Sequence, residues 1–374
     1  MDFDFTPDQE QLRDAVRKYV DKAYTFDRRR AAVTAGGFDR AAYKELADLG
    51  LTGLNISSDY DGMGMGPVES LVVMEEMGRG MVLEPLGQAM LCGVVLEKFA
   101  PQAMRKSWLP HIAAGSKIVT LAYQERKARY HTTSCSAKAV KTAETPAGYA
   151  LTATKNIVPV GDQADAFIVP AQLDGKLALF LVERSVSGVV THGYGCQDGS
   201  RAADITLHNA PAQLVTSDGQ SALDLATDIG AATACFEAIG VMDKTLAVTV
   251  DYMNTRKQFG AVISSFQALR HRVADMKMQL ELARSMAYFA ALKMAAPAPA
   301  RQRAIAQAKY QIGQSMRFVG QSAVQLHGGI GMTDEYIVSH YFKKLTQLEM
   351  SFGDSMHHLG AVSAHMQDTA GVFA

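Results

Sequence analysis

The hydrophobic pattern of this chain changes period twice, and those two changes restrict the folds open to it more than any other feature. Up to Trp108 apolar residues recur at helical spacing. From Lys117 to about Val215 they fall in short alternating or continuous runs between turns, and from Ser221 the helical spacing returns in longer segments. The first block opens on a helix with Thr6 as N-cap, Pro7 in the first helical position and Gln9 where a capping box needs it. A second helix is expected over 38–47, ended by Gly50; 57–64 is a loop of turn residues; further helices cover 67–78 and 86–99. In the middle block strands are expected at 118–123, 137–141, 149–153, 166–171, 177–182 and 203–207, the pattern of a small antiparallel barrel or sandwich. The last block predicts long helices over 223–252, 266–295 and 301–325, broken at Ala296-Pro297-Ala298-Pro299 and suited to a bundle. The chain therefore reads as α+β in the order α, β, α, with domains at 1–116, 117–220 and 221–374.

A length of 374 residues allows two or three domains with sizeable cores. Charge is balanced, 37 basic against 38 acidic residues, which leaves no electrostatic footprint for nucleic acid or an anionic membrane. No uninterrupted apolar run approaches the roughly 18 residues of a membrane span. The opening Met1-Asp2-Phe3-Asp4-Phe5 lacks the basic and apolar regions of a secretory signal. Cys92, Cys135, Cys196 and Cys235 are scattered without a CxxC pair, which predicts reduced thiols, a cytoplasmic setting, and neither a disulfide framework nor a zinc site. The 19 methionines are read as pliant core filler rather than as a binding surface.

Two stretches carry more specific information. Arg256-Lys257-Gln258-Phe259-Gly260, followed by Ile263 and Phe266-Gln267, ends one long helix; Gln325-Leu326-His327-Gly328-Gly329-Ile330-Gly331 ends another. An arginine at a helix end forks onto phosphate oxygens, and the adjacent glycine lets backbone approach closely. The Gly328-Gly329-x-Gly331 run follows a helix rather than a strand, which argues against a Rossmann fingerprint. It is either a helix C-cap and turn or a bare backbone surface for a flat or anionic group. His327, His357 and His358 show no metal-ligand spacing.

Together, in this order and in an α–β–α chain, the two stretches resemble the acyl-CoA dehydrogenase family over essentially the whole length. The resemblance implies an N-terminal helical domain, a central antiparallel β-barrel or sandwich and a C-terminal four-helix bundle. It also implies FAD as cofactor: Arg256, Gln258 and Phe259 contact it from one protomer, while Gln325, Gly328 and Gly329 of the next close over it, which requires an oligomer, usually a dimer of dimers. Leu121-Ala122-Tyr123-Gln124-Glu125 stands in place of the family's loop ending Thr-Glu-Pro, with Gln124 at the Thr position. Lys155 to Gly161 matches the second flavin loop, with Ile157 where Trp is common. Backbone N–H groups of both loops are expected to hold the flavin ring. Arg126-Lys127-Ala128-Arg129-Tyr130 replaces the glycine-rich run that handles the CoA arm, and reads either as a solvated basic loop or as a contact for CoA phosphates. Ser355 and His357 fall at further FAD contacts.

The implied reaction removes an α proton from an acyl-CoA thioester with a carboxylate and transfers the β hydrogen as hydride to the flavin. Neither usual place for the base holds one: the matching positions are Gly353, in Phe352-Gly353-Asp354-Ser355, and Gly230, on the helix before Arg256. The substitutes are Glu237, two helical turns or roughly 10 Å after Gly230 in an apolar setting, and Asp354. Glu237 reads equally as a buried structural carboxylate, Asp354 as a turn residue or N-cap, and Asp228 as an acid favoured near a helix N-terminus. The resemblance leaves an enzyme with an unusual base beside a cofactor-holding or structural subunit that supports an active partner chain. The Phe-Gly-Asp run looks like the small-subunit type of pimeloyl-CoA and sterol-pathway acyl-CoA dehydrogenases, so a homo- or hetero-tetramer is implied, with acyl-CoA as substrate and an electron-transferring flavoprotein as electron acceptor. A flavin monooxygenase or nitroalkane-oxidase-like relative ranks third.

Overall fold

The computed structural model describes residues 5–143, 147–364 and 366. Among them the helices α1 (Pro7–Ala23), α2 (Phe26–Thr34), α3 (Arg40–Asp48), α4 (Pro67–Gly80), α5 (Leu86–Phe99) and α6 (Gln102–Ala113) come first. Strands β1 (Val119–Leu121), β2 (Lys138–Lys141), β3 (Tyr149–Pro159), β4 (Ala166–Leu173), β5 (Lys176–Glu183), β6 (Val189–Gly195) and β7 (Arg201–Thr216) follow. α7 (Gly219–Thr255) leads through the hairpin β8 (Lys257–Gln258) and β9 (Ala261–Val262) to α8 (Gln267–Lys293), α9 (Ala298–His327), α10 (Ile337–Met350) and α11 (Ser355–Ala364). The helix–strand–helix order is the one the hydrophobic periods predict. Thr6 caps α1 as expected: its hydroxyl accepts from Gln9 N–H, and the Gln9 side chain returns to Thr6 N–H.

Besides the short hairpin β8–β9, five elements have no counterpart among those expected: α2, α6, β6, α10 and α11. For two of them the reason is plain. α2 buries Arg29 completely, and a charged residue does not register in a hydrophobic period. β6 carries two glycines and stays half-exposed, so it shows neither a continuous run nor a clean alternation.

Contacts divide the described residues into two compact units, one within Met1–Arg29, Pro67–Val82 and Ala231–Ala374, the other within Arg30–Gly66 and Leu83–Gly230. In the second, β4 pairs with β5, β5 with β7, β7 with β3 and β3 with β2, and β2 returns to β4 through Lys138 and Gln172. The described strands thus close a ring, a barrel rather than a sandwich, with Leu151, Phe167, Val169, Phe180, Val182 and Ile205 filling it. It is not purely antiparallel. β1 and β2 lie one after the other along β4, at Ala166–Ile168 and at Gln172, so both run parallel to it. Asp174 and Gly175, with φ of 51° and 76°, make the tight turn between β4 and β5.

In the first unit α9 packs against α8, α10 and α11, and α4 against α1 and α8. α4 and α7 meet at two glycines, Gly78 facing the carbonyl of Glu237 and Gly240 facing that of Glu75. Buried Glu76 on α4 takes Arg17 at 2.6 Å, and Arg79 reaches Asp243 at 2.8 Å. α7 is apolar and long enough to cross a membrane by composition, but 89% of its most apolar window is buried within the protein, so it is a core helix. Several methionines, among them Met74, Met77, Met90, Met242 and Met276, fill cores as expected, whereas Met332 and Met356 are exposed.

Candidate functional site

The strand unit presents the first group of candidates. Lys155, on the inward face of β3, is fully buried, and its ammonium donates to Glu125 Oε1 at 2.8 Å. The same carboxylate accepts from Ser136 N–H at 2.8 Å, Ser136 Oγ at 2.6 Å and Ala137 N–H at 3.2 Å. Burial alone raises the Glu125 carboxyl, but the Lys155 and Ser136 hydrogen bonds and the Lys155 charge outweigh it and bring it down to about 2. This pair ties the loop after β1 to β3. Asn156 N–H donates to the carbonyl of Gln124 at 2.9 Å, which joins the two expected flavin loops to each other.

Beyond Lys155 the strand bulges. The β3–β7 register shifts between Lys155 and Val158, and Ile157 sits at φ 52°, a left-handed conformation that a β-branched residue adopts only under constraint. Asp204 supplies that constraint by accepting from Ile157 N–H at 3.2 Å and from Tyr194 Oη at 3.0 Å. Arg126 stands 3.8 Å from the same carboxylate. One expectation changes here: the second flavin loop is a bulged strand rather than a loop. Within it the N–H groups of Asn156 and Ile157 donate to Gln124 O and Asp204. Gln124 is half-buried and Ile157 half-exposed; Arg126, Lys127 and Arg129 point to solvent.

The helical unit brings the two sequence motifs together within one chain. Arg256 N–H donates to Tyr252 O at 2.8 Å, and the Tyr252 ring stacks on His327 with centroids 4.3 Å apart. The Arg256 hairpin and the Gln325–Gly329 turn are therefore neighbours on a single protomer, whereas the resemblance divides them between two. Phe259 and Gly260 turn the hairpin with φ of 54° and 77°, which leaves Phe259 92% exposed at its tip. Arg256, Gln258, Gln325, Gly328 and Gly329 are all exposed, and a Cβ at Gly328 or Gly329 would meet no described atom within 4 Å. His327 is buried; its Nδ1 lies 2.8 Å from Ala323 O, while Nε2 has no hydrogen-bond partner among the described residues. Burial lowers the pKa of this imidazole, so it is a neutral Nδ1–H tautomer with an unused acceptor beside the open turn.

The candidate bases are engaged. Glu237 is buried on α7, and Lys344 of α10 pairs with it at 2.6 Å, so its setting is ionic rather than apolar. Asp354 accepts from His357 N–H at 2.8 Å as the cap of α11. Between α10 and α11 the chain turns through Phe352 and Gly353, with φ of 56° and 106°. Buried Lys309 donates to the carbonyls of Leu348, Glu349 and Gly353 at 2.9, 2.8 and 3.0 Å. Burial pulls its pKa down to about 8, which leaves the ammonium predominant at neutral pH. Ser355 is buried, with its hydroxyl given to Glu349 at 2.7 Å. Buried His358 lies 3.0 Å from Phe352 O through Nε2; burial, together with the charges of Lys309 and His357, pushes its pKa down to about 3, so Nε2–H donates from a neutral ring. His357 is half-buried beside it.

Sequence reading did not find Lys344, Lys309, Asp204 or Tyr194. Each acts through a partner far along the chain, and no local spacing marks it. Among the described residues all four cysteines are free thiols.

Comparison with known proteins places this geometry in a family context. Residues 6–116 match the model of the acyl-CoA dehydrogenase N-terminal domain, and residues 218–367 that of the C-terminal domain. Acyl-CoA dehydrogenase FadE27 of Mycobacterium tuberculosis is 26% identical, over 99% of this chain and all of that one. A chain of the ChsE4–ChsE5 complex from Mycobacterium tuberculosis superposes with a TM-score of 0.90 at 26% identity, covering 99% of this chain and 100% of its own. Butyryl-CoA dehydrogenase from Megasphaera elsdenii shares the fold, with a TM-score of 0.89 at 23% identity over 98% and 100% of the two chains.

Proposed function

Because the chain belongs to the acyl-CoA dehydrogenase family of flavoprotein oxidoreductases, we propose that it serves the FAD-dependent α,β-dehydrogenation of an acyl-CoA thioester as one subunit of a hetero-oligomer, with electrons passing to an electron-transferring flavoprotein. The observation that carries this reading is the open turn in the helical unit. An exposed arginine and two glycines whose Cβ positions would meet no described atom within 4 Å lie together on one protomer, and they fit the pyrophosphate of FAD. Arg256 supplies charge and a forked donor to phosphate oxygens; Gly328 and Gly329 admit the group against bare backbone; Gln258, Gln325 and exposed Phe259 border it. When bound, FAD supplies the hydride acceptor for the β hydrogen.

Arg256→Ala removes one charge-assisted contact of about 1.5–3 kcal/mol. FAD affinity, measured by quenching of flavin fluorescence, is expected to fall about 10- to 100-fold, with thermal unfolding of the FAD-free protein unchanged because the side chain is exposed. Unchanged affinity would refute the assignment.

A second reading is favoured by specific contacts: the chain holds cofactor for a partner that supplies the base. Lys344 engages Glu237, Asp354 caps α11, and Asn156 and Ile157 have committed their N–H groups within the chain. That a relative was solved as a ChsE4–ChsE5 complex supports a two-chain assembly. Anaerobic addition of acyl-CoAs of several chain lengths separates the two readings. Bleaching of the flavin band by the chain alone establishes a self-sufficient enzyme, and loss of that bleaching in Glu237→Gln or Asp354→Asn identifies its base. A flavin that stays oxidised with every substrate assigns the base to a partner.

A further inference from the structure

We infer that the corner between α10 and α11 is not a vacated catalytic position but a sealed one, in which His357 and His358 occupy the space any side chain at residue 353 would need, so that the α-proton acceptor cannot be regained there by restoring a carboxylate. The inference rests on the acyl-CoA dehydrogenase reading for the statement that a carboxylate belongs at this corner; the sealing itself rests on geometry alone.

A Cβ built on Gly353 would lie 2.6 Å from His358 Nε2 and 2.7 Å from His357 Cδ2, both closer than real Cβ contacts. The residue also sits at φ 106°, outside the range that L side chains tolerate. Neither obstacle yields easily. His358 is buried and donates to Phe352 O at 3.0 Å, so its ring is fixed by the turn it fills. The turn is fixed from below by Lys309, whose ammonium holds the carbonyls on both sides of it, Leu348 and Glu349 before and Gly353 after. Glu349 closes the other side, accepting from Ser355 N–H at 3.0 Å and pairing with Arg317 at 3.1 Å. α9 approaches so closely that a Cβ on Gly313 would lie 2.2 Å from Ser355 Oγ, which leaves α11 no room to retreat on that side. The lack of a carboxylate and the filling of its volume are thus one coupled arrangement of Lys309, Glu349, His357 and His358, which makes the lack of a base at this corner a property of the local packing rather than of one residue.

The test is a cycle of variants read by thermal unfolding and, independently, by solvent deuterium exchange at C2 of butyryl-CoA followed by NMR. Gly353→Ala and Gly353→Glu are each expected to lower Tm by about 5 °C or more. In a His357→Ala/His358→Ala background the loss caused by Gly353→Glu is expected to shrink, because the clash is gone and only the backbone strain remains. Gly353→Glu at the wild-type Tm, or an equal loss in both backgrounds, would overturn the sealing. Exchange by Gly353→Glu alone would also overturn it, since the new carboxylate would then have found room. If the triple variant folds with its smaller loss yet shows no exchange, the sealing stands and the reading that a carboxylate belongs at this corner fails.

Discussion

Replacing Lys155 by methionine is expected to cost the strand unit about 3–5 kcal/mol, the penalty of stranding one partner of a buried ion pair. Lys155 is fully buried and Glu125 is 8% exposed, so the remaining carboxylate has no water to turn to. It keeps the two Ser136 donors and Ala137 N–H, which satisfy hydrogen bonding but do not balance its charge. The same pair makes the unit acid-sensitive, and the sign follows from the direction of the shift. The folded Glu125 carboxyl lies at about 2, below its ordinary value of 4.5, so its stabilisation is fully present above about 4.5 and is lost as pH falls toward 2. Urea unfolding of wild type and Lys155→Met at neutral pH measures the first effect, and unfolding of wild type and Glu125→Gln across pH 2–5 measures the second. A Lys155→Met protein as stable as wild type, or a loss of stability between about pH 5 and 2 as large in Glu125→Gln as in wild type, would contradict the account; the Asp162–Arg201 pair leaves a smaller acid effect in both.

The second large effect is expected at Gly240. A Cβ there would stand 1.7 Å from the carbonyl oxygen of Glu75 and 2.9 Å from Arg79 N. Both neighbours are backbone of α4, so no side chain can swing aside and the two helices must part. The facing glycine, Gly78, is nearly as tight at 2.0 Å from Glu237 O, and separation would also loosen the Arg79–Asp243 pair between the two helices. Alanine gains about 1 kcal/mol of helix propensity over glycine. Overpacking of backbone on backbone costs about 3 kcal/mol or more, so Gly240→Ala is expected to destabilise the helical unit strongly. Gly360→Ala on α11 is the control: no described atom lies within 4 Å of its Cβ, and it is expected to be neutral or mildly stabilising. Equal melting of the two variants would show that α4 and α7 are less constrained than the contact implies.

What the sequence determined by itself is whatever depends on residues near one another along the chain. The change of period from helix to strand and back is local, and so are the capping box at Thr6, the bounds of α5, and the placing of Arg256 and Gln325 at helix ends; these were legible because caps, turns and amphipathic spacing act over a few residues. The absence of a carboxylate at Gly230 and Gly353 was equally legible. What only the tertiary structure decided is what each charged group faces. Glu237 reads as a carboxylate in an apolar helix until Lys344 arrives from α10, and Lys155 and Glu125 stand in two separate motifs until the barrel brings them to 2.8 Å. The N–H groups of Asn156 and Ile157 look available until a bulge presents them to Gln124 and Asp204. Gly353 looks like a simple deletion until two imidazoles are found in its place. Each of these is a contact between residues distant in sequence, and its energy depends on burial and on a charge partner that no local pattern encodes.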